Sequence, residues 1–139
     1  MKKGPLLTNK SSLRVSLTQK RKGLSLQRIE EAKEKSYVKL ASYVQNFSHV
    51  LSFASKEEEI DLWPFNHFLA RQGRLLLPRV PQNELVVCKV ENCDTLVKSP
   101  KWKVLEPCLS VKPFSKDLID CVLVPGLGFD QFHHRLGYG

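Results

Sequence analysis

Through the first third of the chain apolar residues recur at helical spacing, and they then give way to short continuous apolar runs. That change of period predicts helices first and buried strands interleaved afterwards. From Thr8 or Asn9, either of which offers a capping oxygen, Leu13 and Leu17 share one face while Lys10, Arg14 and Arg21 fall elsewhere, so a first helix is predicted to run to Gly23. Ser25 caps a longer second helix, in which Ile29, Ala32, Ser36, Leu40, Val44 and Phe47 follow a core-facing stripe and Glu30 and Glu31 complement the first-turn dipole. Residues 49–54 form a short apolar run before the charged turn Lys56-Glu57-Glu58-Glu59, the pattern of a buried strand leaving a sheet. Pro64 opens a third helix, with Phe65, Phe68 and Leu69 on one side, and Gly73 closes it. Leu75-Leu76-Leu77 reads as the next strand, its end placed by Pro78 at an edge or bulge, and residues 85–90 as another. Residues 92–116 contain Pro100, Pro107 and Pro113 with no clean period, which predicts irregular structure with a short strand near Val104; strand character resumes at 118–124.

Strands alternating with helices predict a mainly parallel α/β sheet, in which ligands sit outside the carboxyl ends of the strands. At such an end Cys121-Val122-Leu123-Val124 breaks through Pro125 into Gly126-Leu127-Gly128-Phe129-Asp130, and the chain then reads Arg135-Leu136-Gly137-Tyr138-Gly139. A glycine-rich, arginine-bearing loop after a buried strand suits a phosphate, because glycine lets backbone amides approach an anion closely.

A length of 139 residues predicts one domain spanning residues 1–139, large enough to bury a core without disulfides. The four cysteines, Cys88, Cys93, Cys108 and Cys121, form no C-x-x-C pair, which points away from a zinc site or redox motif and toward idle thiols of a reducing compartment. No apolar signal-peptide core follows the basic start and no stretch reaches membrane-spanning length, so a cytoplasmic protein without membrane association is expected. The net charge of +8 is confined to one end: Lys2, Lys3, Lys10, Arg14, Lys20, Arg21, Lys22 and Arg28 all precede the first acidic residue, Glu30. Charge so placed implies an anionic partner for that end, whether nucleotide phosphate, nucleic acid or a membrane surface. No RNA-binding aromatic signature is interleaved with those cations.

The run from Val124 to Asp130, followed by Arg135-Leu136-Gly137-Tyr138-Gly139, closely resembles the signature of the 5-formyltetrahydrofolate cyclo-ligase family. Lys10-Ser11-Ser12-Leu13-Arg14 is similar to that family's opening helix, Glu59-Ile60-Asp61 resembles its acidic motif, and the Leu-Pro-Arg of residues 77–79 its second strand. The resemblance implies a three-layer, Rossmann-like fold, a mainly parallel sheet flanked by helices and incomplete at the C-terminus. It implies ATP-dependent closure of 5-formyltetrahydrofolate to 5,10-methenyltetrahydrofolate, with Mg²⁺, in a monomer. Lys10, Arg14 and Arg135 would be the cations on ATP, Arg135 catalytically, with Gly137 and Gly139 as amide donors. Glu59 would bind folate near its formyl group and Ala54 would line that pocket.

This chain departs from the family's pattern in three places. His133 stands where glycine is common, which matters if the position needs a positive φ. Leu62 replaces a usual threonine. The family's further glycine, paired tyrosines and magnesium-holding aspartate lie past Gly139, so no metal ligand is named in these 139 residues and weak turnover is expected of them. His133 and His134 lack the carboxylate or cysteine company of a metal site. A second class of function stays open: a non-catalytic remnant that binds nucleotide or RNA through its basic first helix.

Overall fold

The computed structural model describes residues 9–138. Two helices come first. α1 (Lys10–Lys22) is capped by Asn9, whose side-chain oxygen accepts from the Ser11 amide at 3.1 Å. It ends at Gly23, in right-handed geometry, so the glycine acts there as a weak helix former. α2 (Leu26–Tyr43) starts on Ser25, whose hydroxyl accepts from the Arg28 amide at 3.1 Å. Because it begins at Leu26, Glu30 and Glu31 lie beyond the first turn and do not complement its dipole as expected. The expected stripe is also only half used. Ile29 and Phe47 are exposed, whereas Tyr37, Leu40, Ala41 and Val44, in the C-terminal half, pack on the core.

The central sheet has the order β3-β2-β1-β6. β1 (Val50–Leu51) pairs in parallel with β2 (Leu75–Arg79) and with β6 (Cys121–Val122), while β3 (Val86–Lys89) runs antiparallel to β2. The result is a mixed α/β fold with a mostly parallel sheet flanked by helices. Between β1 and β2 lies α3 (Trp63–Arg71), which opens with Pro64 and closes on Gly73 at φ +67°, a left-handed position that only glycine takes without cost. α2 and α3 bury Val44, Phe65 and Leu69 against Val50, Leu75 and Leu77. Those strand residues are wholly buried, as expected of a parallel strand covered by helices.

Pro78 sits inside β2 rather than at its end. The Leu76 carbonyl faces β1, where it accepts from the Ser52 amide at 3.0 Å, so position 78 faces the same flank beyond the last residue of β1. The missing N–H therefore costs no ladder bond. Two smaller pairs complete the picture: β4 (Val97–Lys98) with β5 (Leu105–Glu106), within the segment expected to be irregular, and β7 (Gly128–Phe129) with β8 (Arg135–Leu136), within the glycine-rich loop. Among the described residues no helix is long and apolar enough to cross a membrane.

Candidate functional site

Two distant stretches of sequence meet at the carboxyl end of the sheet. The Nε of Arg14, on α1, donates to the Gly137 carbonyl at 2.9 Å across 123 residues of sequence. One turn further on, Leu17 lies so close to β7 that a Cβ added to Gly128 would stand 2.7 Å from its Cδ1. The Nη1 of Arg21 then donates to the Tyr138 hydroxyl at 2.8 Å. Positions 14, 17 and 21 mark one helical face, so α1 lies along the terminal loop as a docked helix. Burial raises the Tyr138 phenol above its usual range, Arg21 opposes the shift, and Glu59 and Glu58 add to it, which ties the acidic turn electrostatically to the same loop.

Arg135 folds back across its own hairpin. Its Nη1 donates to the Pro125 carbonyl at 2.8 Å, and the guanidinium lies against Gly137. Lys10 occupies the first position of α1 and is exposed. Gly137 engages Arg14 through its carbonyl rather than its amide, and Gly139 lies outside the described residues.

Beside this junction are two connected cavities of about 520 and 320 Å³ that share Ala54, Lys56 and the β5 side of the β4–β5 hairpin, Trp102 included. Glu59 lines the smaller one, with Phe53, Pro78, Val80 and Pro125 as apolar walls. Pro125 is the residue whose carbonyl holds Arg135, so the loop cation stands one residue from the wall of the cavity that contains Ala54 and Glu59. The position of Ala54 is fixed by buried polar bonds. The Ser52 hydroxyl donates to Asn66 Oδ1 at 2.6 Å, Asn66 Nδ2 to the Phe53 carbonyl at 3.0 Å, and Trp63 Nε1 to the Ser55 carbonyl at 3.0 Å. These pin the exit of β1 to α3. Glu59 is held in turn by the Lys56 amide, which donates to its Oε2 at 2.8 Å.

Leu62 is the N-cap of α3, buried and without a side-chain capping bond, while Asp61 Oδ1 accepts from the Trp63 amide at 2.9 Å. A threonine at 62 would have offered the capping oxygen that Asp61 partly replaces. The two adjacent histidines diverge. His133 adopts φ +66°, and His134 pairs through Nδ1 with Asp130 Oδ2 at 2.8 Å. Among the described residues no three His, Cys, Asp or Glu side chains converge as a metal site. All four cysteines are free; burial raises the thiols of Cys88, Cys93 and Cys121, whereas a hydrogen bond with Ser110 lowers that of Cys108.

A family model for the 5-formyltetrahydrofolate cyclo-ligase family matches residues 7–139. The chain belongs to that family. It is similar to the 5,10-methenyltetrahydrofolate synthetase of Aquifex aeolicus, solved by NMR, at 28% identity and a TM-score of 0.82, covering 94% of this chain and 67% of that one. The fold is shared with the 5,10-methenyltetrahydrofolate synthetase of Mycoplasma pneumoniae, at 23% identity and a TM-score of 0.69, covering 94% of this chain and 72% of that one. The cyclo-ligase signature read from the sequence thus forms the β7–β8 hairpin, against which α1 docks.

Trp102 and Asn66 are silent in the sequence, and Arg21 reads there only as one more cation of the basic first helix. Trp102 lies in a proline-broken stretch without periodicity, although an aromatic between Lys101 and Lys103 in such a loop was a usable signal of a binding segment. Asn66 reads as one more polar position of a helix, and nothing local betrays that it is buried.

Two outcomes follow. His133→Gly removes a left-handed non-glycine residue and is expected to stabilise the protein by about 1 kcal/mol, seen as a higher urea midpoint at unchanged slope. The Asp130 carboxyl is held below the usual range, chiefly by its hydrogen bond with His134. Its contribution to stability is therefore complete above the ordinary carboxylate range and is lost as pH falls through the depressed value. The difference in urea midpoint between wild type and Asp130→Asn should shrink over that interval; a difference independent of pH would contradict it.

Proposed function

We propose that this chain carries out the ATP-dependent conversion of 5-formyltetrahydrofolate to 5,10-methenyltetrahydrofolate, releasing ADP and phosphate, with residues 1–139 acting as one domain. The observation that carries the reading is the contact between Arg14 and Gly137, which brings the cations of the opening helix onto the glycine-rich loop beside the cavity lined by Ala54 and Glu59. The supporting likeness is to the Aquifex aeolicus synthetase.

ATP supplies the phosphoryl group that activates the formyl oxygen; its fit rests on the donor set. Lys10, Arg14 and Arg135 are cations without a carboxylate partner among the described ion pairs, and such groups neutralise the charge that develops during phosphoryl transfer. Arg14 spends Nε on Gly137 and keeps the Nη edge of its fork for an anion. Arg135 exchanges the Pro125 carbonyl for phosphate, so the loop responds at Pro125, on the cavity wall, when an anion arrives. The amide of Gly137 is a further donor, and we assign Gly139 the same role by its place in the signature. Glu59 orients the folate near its formyl group, Ala54 lets the ring system approach the end of β1, and Trp102 offers an aromatic face to it. The resemblance implies Mg²⁺, but the described residues offer no ligand set for it, so no residue is assigned to metal and no step is routed through one. We place the reaction in the cytoplasm.

Titration calorimetry separates the two halves of the site. Arg14→Ala and Arg135→Ala should each weaken ATP binding about tenfold or more while leaving 5-formyltetrahydrofolate affinity intact, and Glu59→Gln should do the reverse. Equal loss of both ligands in all three variants, or tight RNA binding that falls steeply with salt and ignores folate, would contradict the assignment and favour a non-catalytic remnant.

A further inference from the structure

Two of the four free cysteines are gathered at one buried cation. Cys88, in β3, is fully buried; it pairs across the ladder with Leu77 and bridges on its other flank to Pro113. The segment leading to Pro113 turns at Cys108, whose carbonyl accepts from the Val111 amide at 3.1 Å. Arg79 ties this turn to the sheet, its Nη1 donating to the carbonyls of Cys108 at 2.6 Å and Val111 at 3.0 Å. Positions 77 and 79 share a face of β2 and Leu77 opposes Cys88, so the side chains of Arg79 and Cys88 leave the sheet on the same face. Arg79 is only 6% exposed, takes part in none of the ion pairs among the described residues, and has no hydrogen-bond partner there for its Nε. A buried guanidinium with an unused donor marks a place where an acceptor can be taken up. The two thiols beside it differ. Cys108 is half-buried between exposed Leu109 and Ser110, and its Sγ, 2.9 Å from the Ser110 Oγ, is held below the usual thiol range by hydrogen bonds with Ser110. Burial pushes the Cys88 thiol up, Arg79 opposes the rise and the charge of Cys108 adds to it. One thiol is reachable and inclined to ionise, and the other is a protonated reserve behind it.

We propose that Cys108 is a peroxide-reactive thiol with Cys88 as its resolving partner, the pair closing to a disulfide over Arg79. The Cys108 thiolate attacks one oxygen of hydrogen peroxide; the O–O bond breaks, a sulfenic acid forms, and the other oxygen leaves as hydroxide and takes up a proton to become water. The sulfenic oxygen is an acceptor for the unused Nε–H of Arg79. The Cys88 sulfur then attacks the Cys108 sulfur, the S–O bond breaks, and the Cys88 proton leaves with that oxygen as a second water. The two sulfurs have together lost two electrons to the peroxide, and a small-molecule thiol returns them by exchange. The consequence reaches the smaller cavity, which is lined by Leu105 and Glu106, just ahead of Cys108, and by Pro78 and Val80, on either side of Arg79. A disulfide holds its Cα atoms within about 7 Å, so closing it fixes the 108–111 turn on β3 and draws on both of those walls. The thiol chemistry stands on its own, whereas its effect on folate rests on the reading above.

The test treats the full chain with a small excess of hydrogen peroxide, blocks the remaining thiols and maps the peptides by mass spectrometry. A peptide linking Cys88 to Cys108 is expected, with Cys93 and Cys121 still recovered as thiols. In Cys88→Ser, dimedone should trap a sulfenic acid at Cys108. In Cys108→Ser the remaining thiols should resist the same dose, a readout that holds whether or not the buried Cys88 variant folds. Oxidised wild type should bind 5-formyltetrahydrofolate about tenfold more weakly and recover with dithiothreitol, while Cys108→Ser should show no change on treatment. Oxidation at Cys93 or Cys121 ahead of Cys108, or the absence of the Cys88–Cys108 link, would overturn the pair. A link that leaves folate affinity unchanged would overturn its control of the cavity. Failure of untreated wild type to bind folate would overturn the folate reading alone, because the peptide map still judges the pair.

Discussion

The docking of α1 on the terminal loop is the constraint on which the rest depends. Neither partner can stand alone. α1 buries no residue fully and carries a row of cations with no acidic residue in its first turn, so isolated it would be a marginal helix. The glycine-rich loop has few side chains to pack and relies on a two-residue pairing between β7 and β8. What joins them is Arg14 on the Gly137 carbonyl, Leu17 over Gly128, and Arg21 on the Tyr138 hydroxyl. Two of the three are charge-assisted hydrogen bonds; the part-buried one from Arg14 is worth about 1.5–3 kcal/mol, and the exposed one from Arg21 less, because water screens it. The same arginines that hold the loop thereby become the positive charge beside it.

The sheet supplies the other half of the site by ending early. β1 forms only two ladder positions before the chain peels away at Ser52, and buried hydrogen bonds from Ser52 and Asn66 decide where it goes. Because β1 stops, Pro78 in β2 faces no partner there and is free to line the smaller cavity. Pro125, leaving β6 at the same end of the sheet, closes that cavity and reaches Arg135. A cavity wall and a cationic loop thus share one residue, Pro125.

Most of the secondary structure was legible because it is written locally. The capping residues Asn9 and Ser25, Pro64 at the start of α3 and Gly73 at its end each act within one turn, and the structure uses each where the sequence placed it. The signature after Val124 located the loop, and the condition attached to His133, a need for positive φ, is met at +66°. What escaped depends on contacts between distant residues. Nothing in the stripe of α2 tells that only its second half meets the core, and the pairing of β4 with β5 is invisible in a segment broken by prolines. Gly137, singled out in the sequence for its amide, also lends its carbonyl to Arg14, a contact set by the orientation of a helix more than a hundred residues away.

On the proposed function, α1 and the terminal loop act as one phosphate-binding unit. Amide hydrogen exchange with and without ATP tests this directly, followed over residues 10–22 and 126–138 in the same sample. ATP should slow exchange in both segments together, with half-protection at one nucleotide concentration. Protection of one segment without the other, or at clearly different concentrations, would contradict it.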